Sequence, residues 1–254
     1  MRYTKMHGIG NDYLFVFGEV PANAAQLAVK YSNRQSGIGS DGMIYINYSD
    51  IADFSMRIFN ADGSEARMCG NGIRCVARFV REKGYTDKDE LTVETLSGVK
   101  RLLIDEGGVT VDMGKAEISD DLMLDLGFEC TPVSVGNPHA VIFTDDVALI
   151  LLRDIGPKIE CNKAFPGRVN VEFVSVVGDN ELRMRVWERG SGETLACGMG
   201  ACASAAAAVS KGLCRKGEPI KVHLDGGDLE ITVKNDFTCL MRGPAEFVSE
   251  GEIE

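Results

Sequence analysis

The sequence has three histidines, one tryptophan and no Cys-x-x-Cys pair in its 254 residues. With thiols so widely spaced and imidazoles so few, both the ligand spacing of a zinc site and the motif of a thioredoxin-like redox centre are missing. No apolar run is long enough to cross a bilayer; the longest, from Ala201 to Val209, is mostly alanine. The opening stretch is interrupted by Gly8, Asn11 and Asp12 and does not read as a signal peptide. Positive charge is also scarce, with 27 basic against 38 acidic residues and a net charge of −11. Such a field repels polyanions, so no nucleic acid and no membrane surface is expected as a partner. The expected location is cytoplasmic. An anionic small molecule stays admissible, because local donors and dipoles hold such a ligand whatever the net charge.

What the chain does have is eight cysteines. In a reducing compartment most cysteines serve as small buried hydrophobes. Cys75 and Cys202, inside predicted helices, and Cys130, Cys161, Cys214 and Cys239, which lie in no motif, are read that way. Cys69 and Cys197 stand apart because they belong to a repeat. When Met56-Arg57-Ile58-Phe59 is placed over Met184-Arg185-Val186-Trp187 at an offset of 128, Glu65 falls on Glu193, Cys69 on Cys197, Gly70 on Gly198, Gly72 on Gly200 and Gly84 on Gly212, with no gap. Two related halves follow from a repeat of that length.

Each repeat reads as a short strand (54–59; 182–187), a loop, Cys-Gly-x-Gly and then a helix. Ile73, Val76, Ala77 and Val80 give the first helix one apolar stripe, and Gly84 stops it. The second helix, predicted over 201–211, is small-residue and apolar on most sides, so it should be enclosed. Further strands are expected at 91–95, 100–105, 109–113, 141–144, 171–177, 220–224 and 229–234, with turns at Gly107-Gly108 and Gly226-Gly227. The fold class is therefore α+β, with one helix per half. The polar stretch from Gly114 to Pro132 marks the junction, giving domains 1–115 and 116–242.

A cysteine at a helix start lies beside unpaired backbone N–H groups and the positive end of the dipole, which favours its thiolate. The glycines let a carboxylate approach the same N–H groups. Two such units across a cleft offer two thiols and two sets of donors to one carboxylate, which suits inversion at an amino acid's α-carbon. One thiolate removes the α-proton, and the opposite thiol returns a proton to the other face. Glu65 and Glu193 read as residues that shape the loops, and His223, in a strand pattern, as structural.

The segments His7-Gly-Ile-Gly-Asn-Asp, Phe59-Asn-Ala-Asp-Gly-Ser-Glu, Cys69-Gly-Asn-Gly-Ile-Arg-Cys, Gly136-Asn-Pro-His139 and Glu188-Arg-Gly-Ser-Gly-Glu-Thr-Leu-Ala-Cys197-Gly-Met-Gly together resemble the diaminopimelate epimerase family, almost end to end. The resemblance implies two pseudo-symmetric domains, each a mixed β-sheet or barrel wrapped around a central helix, with the active site in the cleft between them. It also implies that 243–254 rejoins the N-terminal half. The implied reaction interconverts LL- and meso-diaminopimelate for lysine and peptidoglycan precursors, with no cofactor and no metal.

Carried over by position, Cys69 and Cys197 become the acid–base pair, and His139 and Glu188 tune them or orient the substrate amine. Backbone N–H groups of Gly70, Asn71, Gly198 and Met199 would bind the reacting carboxylate. Asn11, Asn60, Asn137, Asn170 and Arg189 would hold the distal end. The chain departs from the family at Met199, where Thr or Ser is usual; a backbone donor survives there but a hydroxyl does not. Read without the motif order, Asn11 and Asn137 could only shape turns, and Arg189 could pair with Glu193 on the surface. The partner expected is diaminopimelate, with a homodimer left open. Three rivals remain at this stage: a racemase of histidine, proline or hydroxyproline, a non-catalytic carboxylate binder, and a thiol redox protein.

Overall fold

Chain reversal begins at Ile9 and Gly10, both at positive φ, which turn strand β1 (Arg2–Gly8) into β2 (Asn11–Phe17). The computed structural model describes residues 1–253. The elements that follow are α1 (Ala24–Ser32), β3 (Gly42–Tyr48), β4 (Phe54–Asn60), β5 (Glu65–Ala66), α2 (Gly70–Glu82), β6 (Glu90–Thr95), β7 (Gly98–Asp105) and β8 (Gly108–Lys115). After the short strands β9 (Glu117–Ile118) and β10 (Leu122–Met123) the pattern repeats as β11 (Glu129–Ser134), β12 (Pro138–Phe143), α3 (Leu152–Glu160), β13 (Asn170–Gly178), β14 (Glu181–Glu188), β15 (Gly192–Thr194), α4 (Gly198–Ser210), β16 (Pro219–Leu224), β17 (Gly227–Val233) and β18 (Thr238–Gly243). A last strand, β19 (Glu246–Glu252), pairs antiparallel with β1. The chain divides into two units, Met1–Val111 with the segment from Gly243 onward, and Asp112–Arg242.

The two units have the same sheet plan. In the first, β2–β3 and β4–β6 are parallel pairs, while β1–β2, β3–β4, β6–β7 and β7–β8 are antiparallel. In the second, β12–β13 and β14–β16 are parallel, and β11–β12, β13–β14, β16–β17 and β17–β18 are antiparallel. These are the mixed sheets of two repeated halves. The apolar stripe of α2 is fully buried at Ile73, Val76, Ala77 and Val80, and helix α2 lies against β1, β2 and β7. Full burial of such a side chain stabilises by about 1.5–3 kcal/mol. Helix α4 is enclosed on nearly every side and touches β11, β12, β13, β14, β16 and β17. Its alanines make that possible, because short side chains let strands approach from all directions.

One helix per half was expected, and the structure holds two. The added pair, α1 and α3, cover the opposite sheet face: Ala24 and Ala28 pack with Leu14, Met43 and Tyr45, and Leu152 and Ile159 with Ala140, Ile142 and Phe173. Helix α3 contains Gly156 and Pro157, which weaken its helical signature. Gly156 is required by packing, because a Cβ there would lie 2.6 Å from the Trp187 ring. With helices on both faces, β2, β3 and β13 are buried in continuous runs and show no alternation.

Cys75, Cys130, Cys202, Cys214 and Cys239 are buried as expected, but Cys161 is exposed at the end of α3. It was read as one of the buried set; the position just past the last turn of a surface helix leaves it at the solvent. No disulfide joins any of the eight cysteines. Among the described residues no helix is long and apolar enough to cross a membrane.

Candidate active site

The β4–β5 and β14–β15 hairpins deliver the two cysteines to their helices. Arg57 on β4 pairs with Glu65, and Arg185 on β14 with Glu193, so the two glutamates brace the loops. Glu193 also pairs with Arg153, and Arg189 instead gives its guanidinium to the Gly167 carbonyl at 3.2 Å. The Arg189–Glu193 pairing is therefore not formed.

Each hairpin ends in extended backbone at the cysteine, which is the N-cap of the helix that follows. Cys69 has φ −138° and ψ 117°, and Cys197 has φ −125° and ψ 105°. The Gly72 N–H donates to Cys69 Sγ at 3.3 Å, and the Gly200 N–H to Cys197 Sγ at 3.3 Å. Sulfur thus occupies the place that serine or aspartate oxygen commonly fills at a helix start, beside the unpaired N–H groups of the first turn. The expectation placed α4 from residue 201; it begins three residues earlier, which brings Gly198 and Met199 into that turn. Gly70 and Asn71 hold the same places in α2.

The surroundings of the two thiols differ. Beside Cys69 lie two amides and a phenol. Cys69 Sγ lies 3.3 Å from Asn11 Oδ1, an acceptor for the thiol proton, and Asn71 Nδ2 donates to the same oxygen at 3.4 Å. Asn11 Nδ2 is held by Asp41 at 2.6 Å, which Arg34 in turn pairs. Tyr13 is within hydrogen-bond reach of both Cys69 and Asn11, and burial first, then the charge of Cys69, pushes its phenol well above the ordinary range. A phenol so shifted stays protonated and can donate to a thiolate. Asn60 bonds Ser64 within its own turn at 3.0 Å and lies opposite Gly42 in the β3–β4 ladder.

Around Cys197 the groups are ionisable. His139 is buried on β12 with Nδ1 2.7 Å from Glu172 Oε1 and Nε2 2.8 Å from Asn137 Oδ1. Glu188 accepts from Thr194 Oγ1 at 2.6 Å and is hydrogen-bonded to Cys197. Burial, followed by the charge of Glu172, raises its carboxyl above the usual value, while Thr194, Cys197 and His139 pull it back. Asn170 donates to the Pro138 carbonyl at 2.9 Å and accepts from the Arg189 N–H at 2.9 Å, fixing the loop that carries Arg189. Met199 is partly exposed.

The structure therefore gathers Asn11, Cys69, Gly70 and Asn71 in the first unit, and Asn137, His139, Asn170, Glu188, Arg189, Cys197, Gly198 and Met199 in the second. Asn60 has no described bond to either cysteine's group. Sequence reading missed Tyr13 and Glu172. The only signal for Glu172 is a carboxylate between Val171 and Phe173 inside an apolar run.

The diaminopimelate epimerase family model matches residues 3–119 and 131–248, one stretch per repeat. The diaminopimelate epimerase of Bacteroides thetaiotaomicron is 50% identical over 100% of this chain and 98% of its own, and that of Acetivibrio thermocellus is 46% identical over 100% and 99%. Among solved structures, a phenazine biosynthesis protein of the PhzF family from Bacillus anthracis superposes with a TM-score of 0.80 at 17% identity, covering 100% of this chain and 99% of that one. A hydroxyproline epimerase from Agrobacterium vitis superposes at 0.71 and 15%, covering 99% and 91%. At those identities the structures speak to the fold alone. The matches over both repeats and along the full length place the chain in the diaminopimelate epimerase family.

Proposed function

We propose that Cys69 and Cys197 are the two bases with which this member of the family inverts the α-carbon of diaminopimelate. The chain is an isomerase of lysine biosynthesis that epimerises LL-diaminopimelate to the meso form. We read the two units as its two epimerase halves, residues 1–115 with 243–254 and residues 116–242, and its place as the cytoplasm. The observation that carries the two-base reading is the duplicated N-cap, one sulfur per half in the same backbone conformation with one helix N–H at 3.3 Å.

In this reading the α C–H bond breaks as one thiolate takes the proton, and the electron pair moves onto the carboxylate as an enediolate. N–H groups of Gly70, Asn71, Gly198 and Met199 stabilise that charge, each such donor contributing about 3–4 kcal/mol in a dry site. The opposite thiol then gives its proton to the other face, so the product differs only in configuration. The first turn of each helix favours the thiolate form its cysteine needs. Asn11, Asn60, Asn137, Asn170 and Arg189 are assigned the distal ammonium and carboxylate, which suits a guanidinium and amides.

Turnover of LL-diaminopimelate and α-proton exchange in deuterated water test the assignment. Cys69→Ala and Cys197→Ala are each expected to abolish epimerisation. Near-normal turnover in either variant contradicts a two-base mechanism.

A further inference from the structure

The offset of 128 that relates the cysteines also relates the residues around them, and it exposes where the halves have diverged. Asn11 corresponds to His139, Ile44 to Glu172, Asn60 to Glu188 and Arg74 to Cys202. The correspondence of Ile44 and Glu172 is also geometric. A Cβ on Gly72 would lie 2.6 Å from Ile44 Cδ1, and a Cβ on Gly200 would lie 2.6 Å from Glu172 Oε1. Both side chains therefore abut the first turn of the helix that their cysteine caps, one as a methyl group and the other as a carboxylate. Glu172 is fully buried, and its Oε1 is 2.7 Å from His139 Nδ1.

We propose that Glu172 is a positioning residue for the epimerase reaction: wedged between His139 and the start of α4, its carboxylate fixes the imidazole and keeps Cys197 a thiol while Cys69, capping the unacidified helix, is the thiolate. The proposal rests on the two-base reading above. Its physical content is an electrostatic difference between two helix starts of the same shape. A negative charge beside a thiol opposes loss of the thiol proton. On the Cys197 side Glu188 is hydrogen-bonded to the sulfur and feels the charges of Glu172 and His139, and Glu172 abuts Gly200, whose N–H donates to Cys197 Sγ. On the Cys69 side Tyr13 and Asn11 lie beside the sulfur, with Asp41 behind them paired to Arg34. Behind Cys69, in place of Cys202, stands the buried guanidinium of Arg74, which donates to the Gly70 carbonyl at 3.2 Å. Cation behind one sulfur and anion behind the other set the protonation states apart before substrate arrives. Each turnover starts with one sulfur as thiolate and the other as thiol and ends with the two exchanged, so the difference in surroundings sets which form the resting enzyme takes. Glu172 Oε1, 2.7 Å from Nδ1, also fixes how the His139 ring faces Asn137.

The test follows iodoacetamide alkylation of each cysteine across pH, read by peptide mass spectrometry on the full chain, together with steady-state kinetics. In the wild type Cys69 should react at lower pH than Cys197. Glu172→Gln should move the Cys197 profile down by about one pH unit or more and leave that of Cys69 in place. It should lower kcat by about tenfold, a part of what acid–base catalysis supplies, with KM little changed. An unmoved Cys197 profile, or equal movement at both cysteines, overturns the proposal. Should that variant fail to fold, the double variant His139→Asn with Glu172→Ile copies the neutral pair of the other half and buries no lone charge. Its Cys197 profile should then approach that of Cys69, and a profile that stays put is equally fatal. Failure here with both Cys→Ala variants inactive removes only the role of Glu172; an active Cys→Ala variant removes the two-base reading itself.

Discussion

Burial assigns different work to thiols that share one helix. Cys75 sits inside α2 and is pushed up to about 12 by burial, whereas Cys69 at the cap keeps contact with N–H donors and with Asn11. Glu188 shows how such tuning trades against stability. Its carboxyl is raised, by burial first and then by Glu172. A carboxyl that holds its proton more tightly when folded favours the folded state below its unfolded pKa, and that contribution is lost as pH rises through the folded value. At neutral pH Glu188 therefore costs stability. Glu188→Gln keeps the size and an acceptor for Thr194 while removing the charge. It is expected to raise the thermal midpoint at pH 7 and to lower turnover by about 10²-fold or more. A variant that melts at or below the wild-type temperature would contradict the direction of the shift. For Arg189 the expectation concerns specificity. Arg189→Ala should weaken diaminopimelate binding by about 10- to 100-fold, the worth of a charged hydrogen bond. An amino acid without a distal carboxylate should be hardly affected, and equal losses for both would remove the role assigned to Arg189.

Helix starts are the elements on which the proposed chemistry depends, and they are the part most legible in sequence. The repeat, the Cys-Gly-x-Gly units and the stripe of α2 point to both N-caps from sequence alone. Buried strands are legible only in part: β13 is expected at 171–177, but β2 and β3 are not. Helices on both faces remove the alternation by which a half-exposed strand is recognised, so β2 and β3 passed unread, and with them Tyr13. Glu172 was hidden for the same reason, as one charge in a run whose partner His139 lies 33 positions earlier. Helix α3 was obscured by Gly156 and Pro157, residues that its packing on Trp187 tolerates or demands. The closeness of α4 to β13 gives a prediction at this scale. Gly200→Ala sets a Cβ 2.6 Å from Glu172 Oε1 on a fully buried side chain. The first turn of α4 must shift, so the variant is expected to lose about 1–3 kcal/mol of stability, measured by urea unfolding. Turnover should fall with it. Gly84→Ala, at φ +74° with nothing within 4 Å, should cost stability through backbone strain alone and leave turnover intact.

At the scale of the chain, the last strand completes the first unit, which otherwise ends at Val111. The β19 ladder on β1 is reinforced by Arg2–Glu252, by Lys83–Glu250 and by the N-terminal ammonium donating to the Ile253 carbonyl at 2.6 Å. The side chains of β19 are mostly exposed, so its contribution comes from backbone pairing more than from apolar burial. Arg74 extends the connection to the site: its Nε donates to the Pro244 carbonyl at 3.2 Å, while its Nη1 reaches Gly70 beside Cys69. Removal of residues 244–254 therefore opens the edge of β1 and loosens the helix start behind the Cys69 sulfur. At about 1 kcal/mol net per hydrogen bond, loss of a few bonds should cost roughly 3 kcal/mol and lower the thermal midpoint by roughly 6–12 °C. Hydrogen exchange should quicken in β1, β2 and the first turn of α2, while β12, β13 and β14 keep their protection. The bared edge should also promote self-association, visible by light scattering. If protection in β1 survives the truncation, β19 is an ornament on the sheet and the tie from the tail to Cys69 carries no weight.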